Sequence, residues 1–347
     1  MNNYETLMKR CFDLAVKGEG SVSPNPLVGC VVLNKDGEVI SEGYHSKYGE
    51  NHAERDALLK LHNGEERGGT LVVNLEPCSH FGKTPPCADL IIERGISKVV
   101  FAMRDVNPKV DGVKKLTDAG IKVVSGILEN EAKKLNDVFI KNITERKTFV
   151  ALKTATTLDG KIATSNGSSK WITSENARNE VKVIRNRYDA ILTSSSTVIA
   201  DNPTMAHRKK IVLDRCLKTD LTANIYKEGQ VYIFCSGKSC IDGNITYIDT
   251  PINDEKLDIS FILEKLYELG IYSVLVEAGG KLNGSFLPYT DKIYHFIAPK
   301  ITSDNTSRSV FDGKLITDIN DSQQFIFDEV KEFPPDLLLT YYPMDIS

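Results

Sequence analysis

Segment 52–87 reads His52-Ala53-Glu54, then Glu76-Pro77-Cys78, then Ser79-His80-Phe81-Gly82-Lys83-Thr84-Pro85-Pro86 and Cys87. One imidazole and two thiolates form a three-ligand set for zinc, and three protein ligands leave the fourth tetrahedral position open, as a catalytic rather than a structural ion requires. Glu54 is then a carboxylate beside the metal that is not needed to bind it. His52 and Glu54 lie two positions apart, about 200° around a helix axis, so they reach one ion together only at a helix N-terminus. Gly49-Glu50-Asn51 supplies a turn and an Asn cap for a helix over 53–61. Cys87 follows Pro85-Pro86 and opens a helix over 88–94, whose positive end favours a thiolate. Two scattered cysteines would be ordinary buried thiols. The spacing, the Pro-Cys and the spare Glu together make the case for zinc.

Outward from this stretch, Leu7, Cys11, Leu14 and Ala15 recur at helical spacing over 4–17, and Gly18 and Gly20 end that helix. Ser23-Pro24-Asn25-Pro26 is a rigid loop leading into a strand over 28–33, and a second strand over 38–44 follows the Lys35-Asp36-Gly37 turn. Asn25 sits where an amide could read a ring edge, although an Asn between prolines is commonly a turn residue. Strands over 70–75, 98–103 and 122–124 alternate with helices over 88–94 and 113–119, which implies a central sheet covered by helices on both faces. Ligands of such sheets bind at strand ends, which brings Glu76-Pro77-Cys78, Asp105 and Asn107 toward one crevice.

A helix over 129–141 and a polar stretch precede a strand over 148–153, so the chain is divided into domains 1–145 and 146–347. The second half opens with Lys153 to Ala163, a strand running into a Gly-containing loop. Ser174 then caps a helix over 175–187, a strand covers 189–194, and a loop runs from Thr197 through Asp201-Asn202-Pro203 to Arg208. Strands over 210–214, 272–276 and 291–299 complete the reading. Glu277-Ala278-Gly279-Gly280 is a turn whose amides and following helix could cradle a phosphate. Gly-Gly after a strand is as often a plain tight turn. No G-x-G-x-x-G is present, and neither a repeat nor a low-complexity segment is seen.

The 347 residues, 41% hydrophobic, suit two domains with ordinary cores. A net charge of −4, with no long Lys/Arg run, offers nothing to nucleic acid or to a membrane surface, so a small-molecule substrate is expected. Seven cysteines without framework spacing read as reduced thiols of a cytoplasmic protein. No signal peptide or membrane span is read.

His-x-Glu followed by Pro-Cys and a second Cys resembles the zinc deaminase signature, in which the Glu moves protons between water and substrate. Here the two cysteines are separated by eight residues instead of two. Over its full length the chain resembles the bifunctional riboflavin-biosynthesis deaminase/reductase family. In the first half Pro24-Asn25-Pro26-x-Val28-Gly29, Gly43-x-His45, His52-Ala53-Glu54 and Pro77 to Cys87 carry the resemblance, and the long cysteine spacing is the family's own mark. In the second half Lys153 to Ala163, Ser169-x-Trp171-Ile172-Thr173, Thr197-Val198-x-x-Asp201-Asn202-Pro203, Arg208 and Val276-Glu277-Ala278-Gly279 carry it.

The resemblance implies an α/β chain with a cytidine-deaminase-like three-layer αβα domain followed by a dihydrofolate-reductase-like α/β domain. It implies zinc on His52, Cys78 and Cys87 with Glu54 catalytic, and a deaminase pocket lined by Asn25, His45, His80, Lys83, Asp105 and Asn107. NADPH would face Ala155, Trp171, Thr173, Thr197, Asp201, Gly279 and Gly280. The reductase substrate would face Ser169, Arg185, Arg208 and Glu277. The implied substrate is a phosphorylated pyrimidine, deaminated and then reduced in its ribosyl side chain, and a homo-oligomer is expected. Two departures stand out: Ser194-Ser195-Ser196 occupies a position where many members have Gly-x-Gly, and Lys114 replaces a second Gly after Gly112. Added Cβ atoms in a close cofactor turn count against NADPH binding, though Ser remains small, and the sequence leaves the balance open. The rival readings are a nucleic-acid deaminase with an accessory domain, opposed by the acidic charge and the cysteine spacing, and a non-catalytic zinc protein, opposed by the spare Glu54.

Overall fold

Short apolar strands build one main sheet in each half of the chain. The computed structural model describes residues 3–62, 64–313 and 315–344, and the chain divides into two units, Met1–Arg146 and Lys147–Ser347. Unit 1 runs α1 (Asn3–Ala15), β1 (Gly29–Leu33), β2 (Val39–Tyr44), α2 (Ala53–Leu59), β3 (Thr70–Leu75), α3 (Cys87–Glu93), β4 (Lys98–Met103), α4 (Gly112–Asp118), β5 (Lys122–Val124), α5 (Glu129–Leu135) and α6 (Asp137–Glu145). Its sheet order is β2-β1-β3-β4-β5. Strand β1 is antiparallel to β2 and β3, whereas β3, β4 and β5 are mutually parallel. Every residue of β1 is buried, as are nearly all of β3 and β4, so these strands read as continuous apolar runs covered on both faces.

Two details of this unit position α2 and the loop that bears Asn25. A Cβ on Gly43 would lie 2.5 Å from both Ala53 O and Ala57 N, so only glycine lets β2 approach the first turn of α2. Asn136 interrupts the helix expected over 129–141 and divides it into α5 and α6. Its side chain turns to Leu27 instead, accepting from the amide at 2.8 Å and donating to the carbonyl at 3.1 Å. Buried Asn74 on β3 holds the same loop, accepting from Gly29 N and donating to Leu27 O. The loop bearing Asn25 is thereby held to the sheet by two amide side chains.

Unit 2 runs β6 (Phe149–Thr157), β7 (Lys161–Ala163), α7 (Glu175–Asn186), β8 (Ala190–Ser194), α8 (Ser195–Asp201), β9 (Lys209–Leu213), β10 (Gln230–Cys235), β11 (Cys240–Asp242), β12 (Ile245–Asp249), β13 (Ile252–Asn253), β14 (Lys256–Leu257), α9 (Ile259–Glu268), β15 (Ser273–Val276), α10 (Gly280–Phe286), β16 (Lys292–Ala298), β17 (Arg308–Ser309), β18 (Phe325–Phe333) and β19 (Asp336–Pro343). Ten strands form one sheet in the order β11-β12-β10-β9-β8-β15-β6-β16-β19-β18. The strands from β12 to β16 are mutually parallel, and β11, β19 and β18 add antiparallel edges. Neighbouring residues of one strand enter opposite cores: Ile211 and Leu213 pack in one cluster and Val212 in the other. Both faces are therefore covered.

The loop expected from Thr197 to Pro203 is largely the helix α8, because Ser194 caps it by accepting from Thr197 N, and Asn202 ends it in the left-handed region at φ 42°. Ser174 caps α7 as expected, accepting from Ala177 N. Among the described residues no helix is long and apolar enough to cross a membrane.

Candidate active sites

In unit 1, His52 occupies the N-cap position of α2 and Cys87 is the first residue of α3. The expected Asn51 cap is not made. Asn51 instead offers its carbonyl to His45 Nδ1 at 2.9 Å, and His52, with an extended backbone, takes the cap position. His52 Nδ1 lies 3.5 Å from Cys78 Sγ and 3.6 Å from Cys87 Sγ, and the three donor atoms fall within 4.8 Å of one another. Tetrahedral zinc, with bonds near 2.3 Å to sulfur and 2.0–2.1 Å to nitrogen, puts such atoms about 3.5 Å apart. The donor set fits the ion in both chemistry and spacing.

The backbone of α3 holds this triangle together. Cys87 N donates to Cys78 Sγ at 3.3 Å and Ala88 N donates to Cys78 O at 3.1 Å, so the helix start carries both cysteines as one piece. The hydrogen bond from the Cys87 thiol pulls the Cys78 thiol down to about 4, and the same bond together with burial pushes the Cys87 thiol up. The hydrogen bond to Cys78 raises His52. Glu54, in the first turn of α2, is buried, and burial pushes its carboxyl up to about 7. It is thus poised to hold or release a proton near neutral pH.

Around this centre His45 is buried, its ring 5.4 Å from that of His52. Its Nδ1–H donates to Asn51 O, and its Nε2 accepts from Asn25 Nδ2 at 3.0 Å. Asn25 is therefore oriented with its Oδ1 left to accept. Burial keeps His45 below the ordinary imidazole range, consistent with this neutral tautomer. His80 Nδ1 and Thr84 Oγ1, both in the segment between the cysteines, are buried with no hydrogen-bond partner. Such atoms are uncommon in folded proteins. Asp105, whose carboxyl burial pushes up to about 6, accepts from Asn107 N at 2.8 Å. Lys83 was expected to aim its ammonium into the pocket. It is exposed and sits 3.9 Å over the ring of Tyr48.

In unit 2, Glu277 follows β15 and is buried, with Arg185 Nε at 2.6 Å and Arg185 Nη2 at 3.0 Å on its two oxygens and Lys153 Nζ at 3.5 Å. Burial alone would raise Glu277, but Lys153 and Arg185 outweigh it and hold the carboxyl below its ordinary value. Ser194 ends β8 and Thr197 lies in the first turn of α8, their hydroxyls 3.1 Å apart. Trp171 is 63% exposed, with the Arg178 guanidinium 4.4 Å over its ring. Thr173 is buried and gives its carbonyl to Arg178, and Ala155 and Ser169 are half-buried. Asp201 is exposed at the end of α8, and Arg208 is exposed just before β9.

Of the Gly-Gly pair, only Gly279 has open space where a Cβ would stand. Gly280 is required by packing, since its Cβ would lie 2.3 Å from Ser309 O. An open glycine turn, an exposed indole face and hydroxyls at a strand end fit a dinucleotide. Of the three serines at 194–196, Ser194 spends its hydroxyl on the α8 cap and meets the hydroxyl of Ser196 at 2.8 Å.

Sequence reasoning passed over Lys153, Tyr48 and Ser79 as site residues. Lys153 was legible as a lone cation directly after the apolar run Phe149 to Leu152. Ser79 and Tyr48 gave no signal beyond nearness to a ligand.

Comparison with known proteins matches a family to each half of the chain. The profile of the cytidine and deoxycytidylate deaminase zinc-binding region matches residues 1–103, and that of the RibD C-terminal domain matches residues 148–339. The chain is 37% identical to the riboflavin biosynthesis protein RibD of Actinobacillus pleuropneumoniae, over 98% of this chain and 96% of that one. It is 36% identical to the Escherichia coli K12 protein, over 96% and 98% respectively. A crystal structure of a diaminohydroxyphosphoribosylaminopyrimidine deaminase/5-amino-6-(5-phosphoribosylamino)uracil reductase from Thermotoga maritima superposes with a TM-score of 0.89 at 40% identity, covering 98% of this chain and 99% of that one. RibD of Acinetobacter baumannii superposes with a TM-score of 0.86 at 33% identity, covering 99% of each.

Proposed function

This chain belongs to the RibD family of bifunctional riboflavin-biosynthesis enzymes, in which a zinc-dependent deaminase is joined to an NADPH-dependent reductase, and we propose that it catalyses both steps on one phosphorylated pyrimidine. The first removes the 2-amino group of 2,5-diamino-6-ribosylamino-4(3H)-pyrimidinone 5′-phosphate with water, releasing ammonia. The second reduces the ribosyl side chain to ribityl, giving 5-amino-6-ribitylaminouracil 5′-phosphate. Residues 1–145 carry deamination and residues 146–347 carry reduction. The observation that bears most weight is the triangle of His52, Cys78 and Cys87 with Glu54 buried beside it.

Zinc, when bound, supplies a Lewis acid that brings water's pKa to about 7, and NADPH supplies hydride. The chain's own residues do the rest. His52, Cys78 and Cys87 hold the ion. Glu54, with a carboxyl near 7, takes a proton from water on one Oε and delivers it to the leaving amino group. Asn25 Oδ1 accepts from the pyrimidine edge, held in place by His45. His80 Nδ1 and Asp105 bind ring and substituent polar groups, with Asn107 beside them and Lys83 meeting the phosphate at the mouth. In the reductase Ala155, Trp171, Thr173, Thr197, Asp201, Gly279 and Gly280 line the cofactor's place. Ser169, Arg185, Arg208 and Glu277 face the sugar phosphate, with Lys153 keeping Glu277 ionised.

We place the enzyme in the cytoplasm as a homo-oligomer. Support for assembly comes from the edge strand β18, where Ile326, Phe327 and Val330 are about half exposed. Sedimentation of the purified protein tests that point. The function itself is tested by supplying the diaminopyrimidinone phosphate with NADPH and following ammonia and NADPH together: ammonia release should precede NADPH loss. Absence of both would sink the proposal.

A further inference from the structure

Glu76 and Ser79 flank Pro77-Cys78, yet neither has a part in the chemistry above. Glu76 is 4% exposed, and its two oxygens accept from two different amides: Oε1 from Val113 N at 2.9 Å and Oε2 from Asp105 N at 3.3 Å. Arg104 lies 3.6 Å from the same carboxylate. Ser79 Oγ accepts from Asp111 N at 2.8 Å. Between these bonds Gly112 lies directly against the metal loop, since a Cβ there would be 2.0 Å from Pro77 O. Every partner belongs to segment 104–113, which follows β4 and carries Asp105 and Asn107. That segment folds its own turn, with Asn107 N donating to Asp105 Oδ1 and Lys109 N to Asn107 Oδ1. Its attachment to the metal loop comes from Glu76, Ser79 and the bare face of Gly112.

We propose that Glu76 is a positioning residue for deamination: by clamping the start of segment 104–113 and the start of α4 to the Pro77-Cys78 turn, it sets how far Asp105 and Asn107 stand from the metal, and so sets the affinity for the pyrimidine. A buried carboxylate must be hydrogen-bonded, and one that accepts from two amides eight positions apart, those of Asp105 and Val113, fixes both ends of the segment between them. Asp105 and Asn107 contact parts of the substrate that do not react, so moving them changes ground-state and transition-state binding alike, which appears in KM and not in kcat. The proposal rests on the deaminase reading above.

The test uses the full-length zinc enzyme and three variants, Glu76→Ala, Glu76→Gln and Gly112→Ala. Measured on each are zinc per chain, the cobalt(II) charge-transfer spectrum after metal exchange, deaminase kcat and KM for the diaminopyrimidinone phosphate, and reductase turnover of the deaminated intermediate. Losing bonds to a charged acceptor should raise KM by about tenfold or more in Glu76→Ala. Glu76→Gln keeps one acceptor oxygen and should rise less. Gly112→Ala, with Glu76 intact, should reproduce the rise by forcing the same two segments apart. Zinc content, cobalt spectrum, kcat and reductase turnover should stay near wild type. If Glu76→Ala is insoluble, the other two variants decide. Unchanged KM in the soluble variants overturns the proposal, and so does a KM rise that tracks zinc loss, which would make Glu76 a support of the metal loop alone. A wild-type enzyme that leaves this substrate untouched would overturn the functional reading instead.

Discussion

A zinc ion can make water nucleophilic, but it cannot carry a proton to a departing amine, and Glu54 is the only buried carboxyl in the first turn of α2 able to do so. Glu54→Gln keeps the size and removes the proton carrier. It is expected to retain about one zinc per chain while ammonia release falls about 10²- to 10⁴-fold, the usual range for general acid–base catalysis. Metal analysis alongside an ammonia assay checks this, and unimpaired release would remove Glu54 from the mechanism. A second prediction concerns His295 on β16, whose Nδ1 meets Thr154 Oγ1 at 2.6 Å and whose Nε2 meets Thr156 Oγ1 at 3.4 Å. Burial lowers it from 6.5 to about 4. Between those values the unfolded imidazole binds a proton that the folded one refuses, so stability present above pH 6.5 is lost as pH falls toward 4, by up to about 3 kcal/mol. Unfolding temperature measured across that window should drop in the wild type and drop less in His295→Gln. Identical slopes would acquit His295.

At the scale of elements, the close contact of β2 with α2 is what delivers His52 and Glu54 to the cysteines. Gly43→Ala puts a methyl 2.5 Å from two backbone atoms of α2. It should cost about 1–3 kcal/mol in denaturant unfolding, as overpacking does, and should speed zinc loss to a chelator. Normal zinc retention would show that α2 yields without moving its first turn. Helix starts at His52 and Cys87 were legible in the sequence because metal geometry leaves few other places for those residues. Asn51 was misread as a cap because its competing partner, His45, is brought in by the fold and not by the local chain. The break at Asn136 was illegible for the same reason, its partner Leu27 lying 109 residues away. Thr197 to Asp201 looked like a loop because β-branched Thr197, Val198 and Ile199 are weak helix formers, although the Ser194 hydroxyl makes a good cap before them. Strands β10, β12, β18 and β19 went unplaced. Long-range pairing decides the first two, and charges at Asp328, Glu329, Lys331 and Glu332 blur the alternation of β18.

At the scale of the whole molecule, each unit has its own sheet and core, and the residues proposed for each activity fall within one unit. A fragment of residues 147–347 is therefore expected to fold and to reduce the deaminated intermediate with NADPH, without zinc and at a rate within a few-fold of the full chain. A folded fragment that consumes no NADPH would show that reduction draws on residues of the first half. The two sheets also differ in the order in which a ribosome can complete them. The three residues proposed to hold zinc lie between residues 52 and 87, and the sheet of unit 1 closes by β5 at Val124, so on that reading a nascent chain can load its ion long before the second half exists. The sheet of unit 2 has no such luxury. Its first-made strand, β6, sits between β15 and β16, so the apolar run from Phe149 to Leu152 emerges from the exit tunnel and waits for Ser273 and Lys292 to be synthesised before it has a neighbour. During translation the enzyme is thus first a finished metalloprotein trailing an unpaired hydrophobic strand, and it is that strand, not the zinc site, that a chaperone would have to shield.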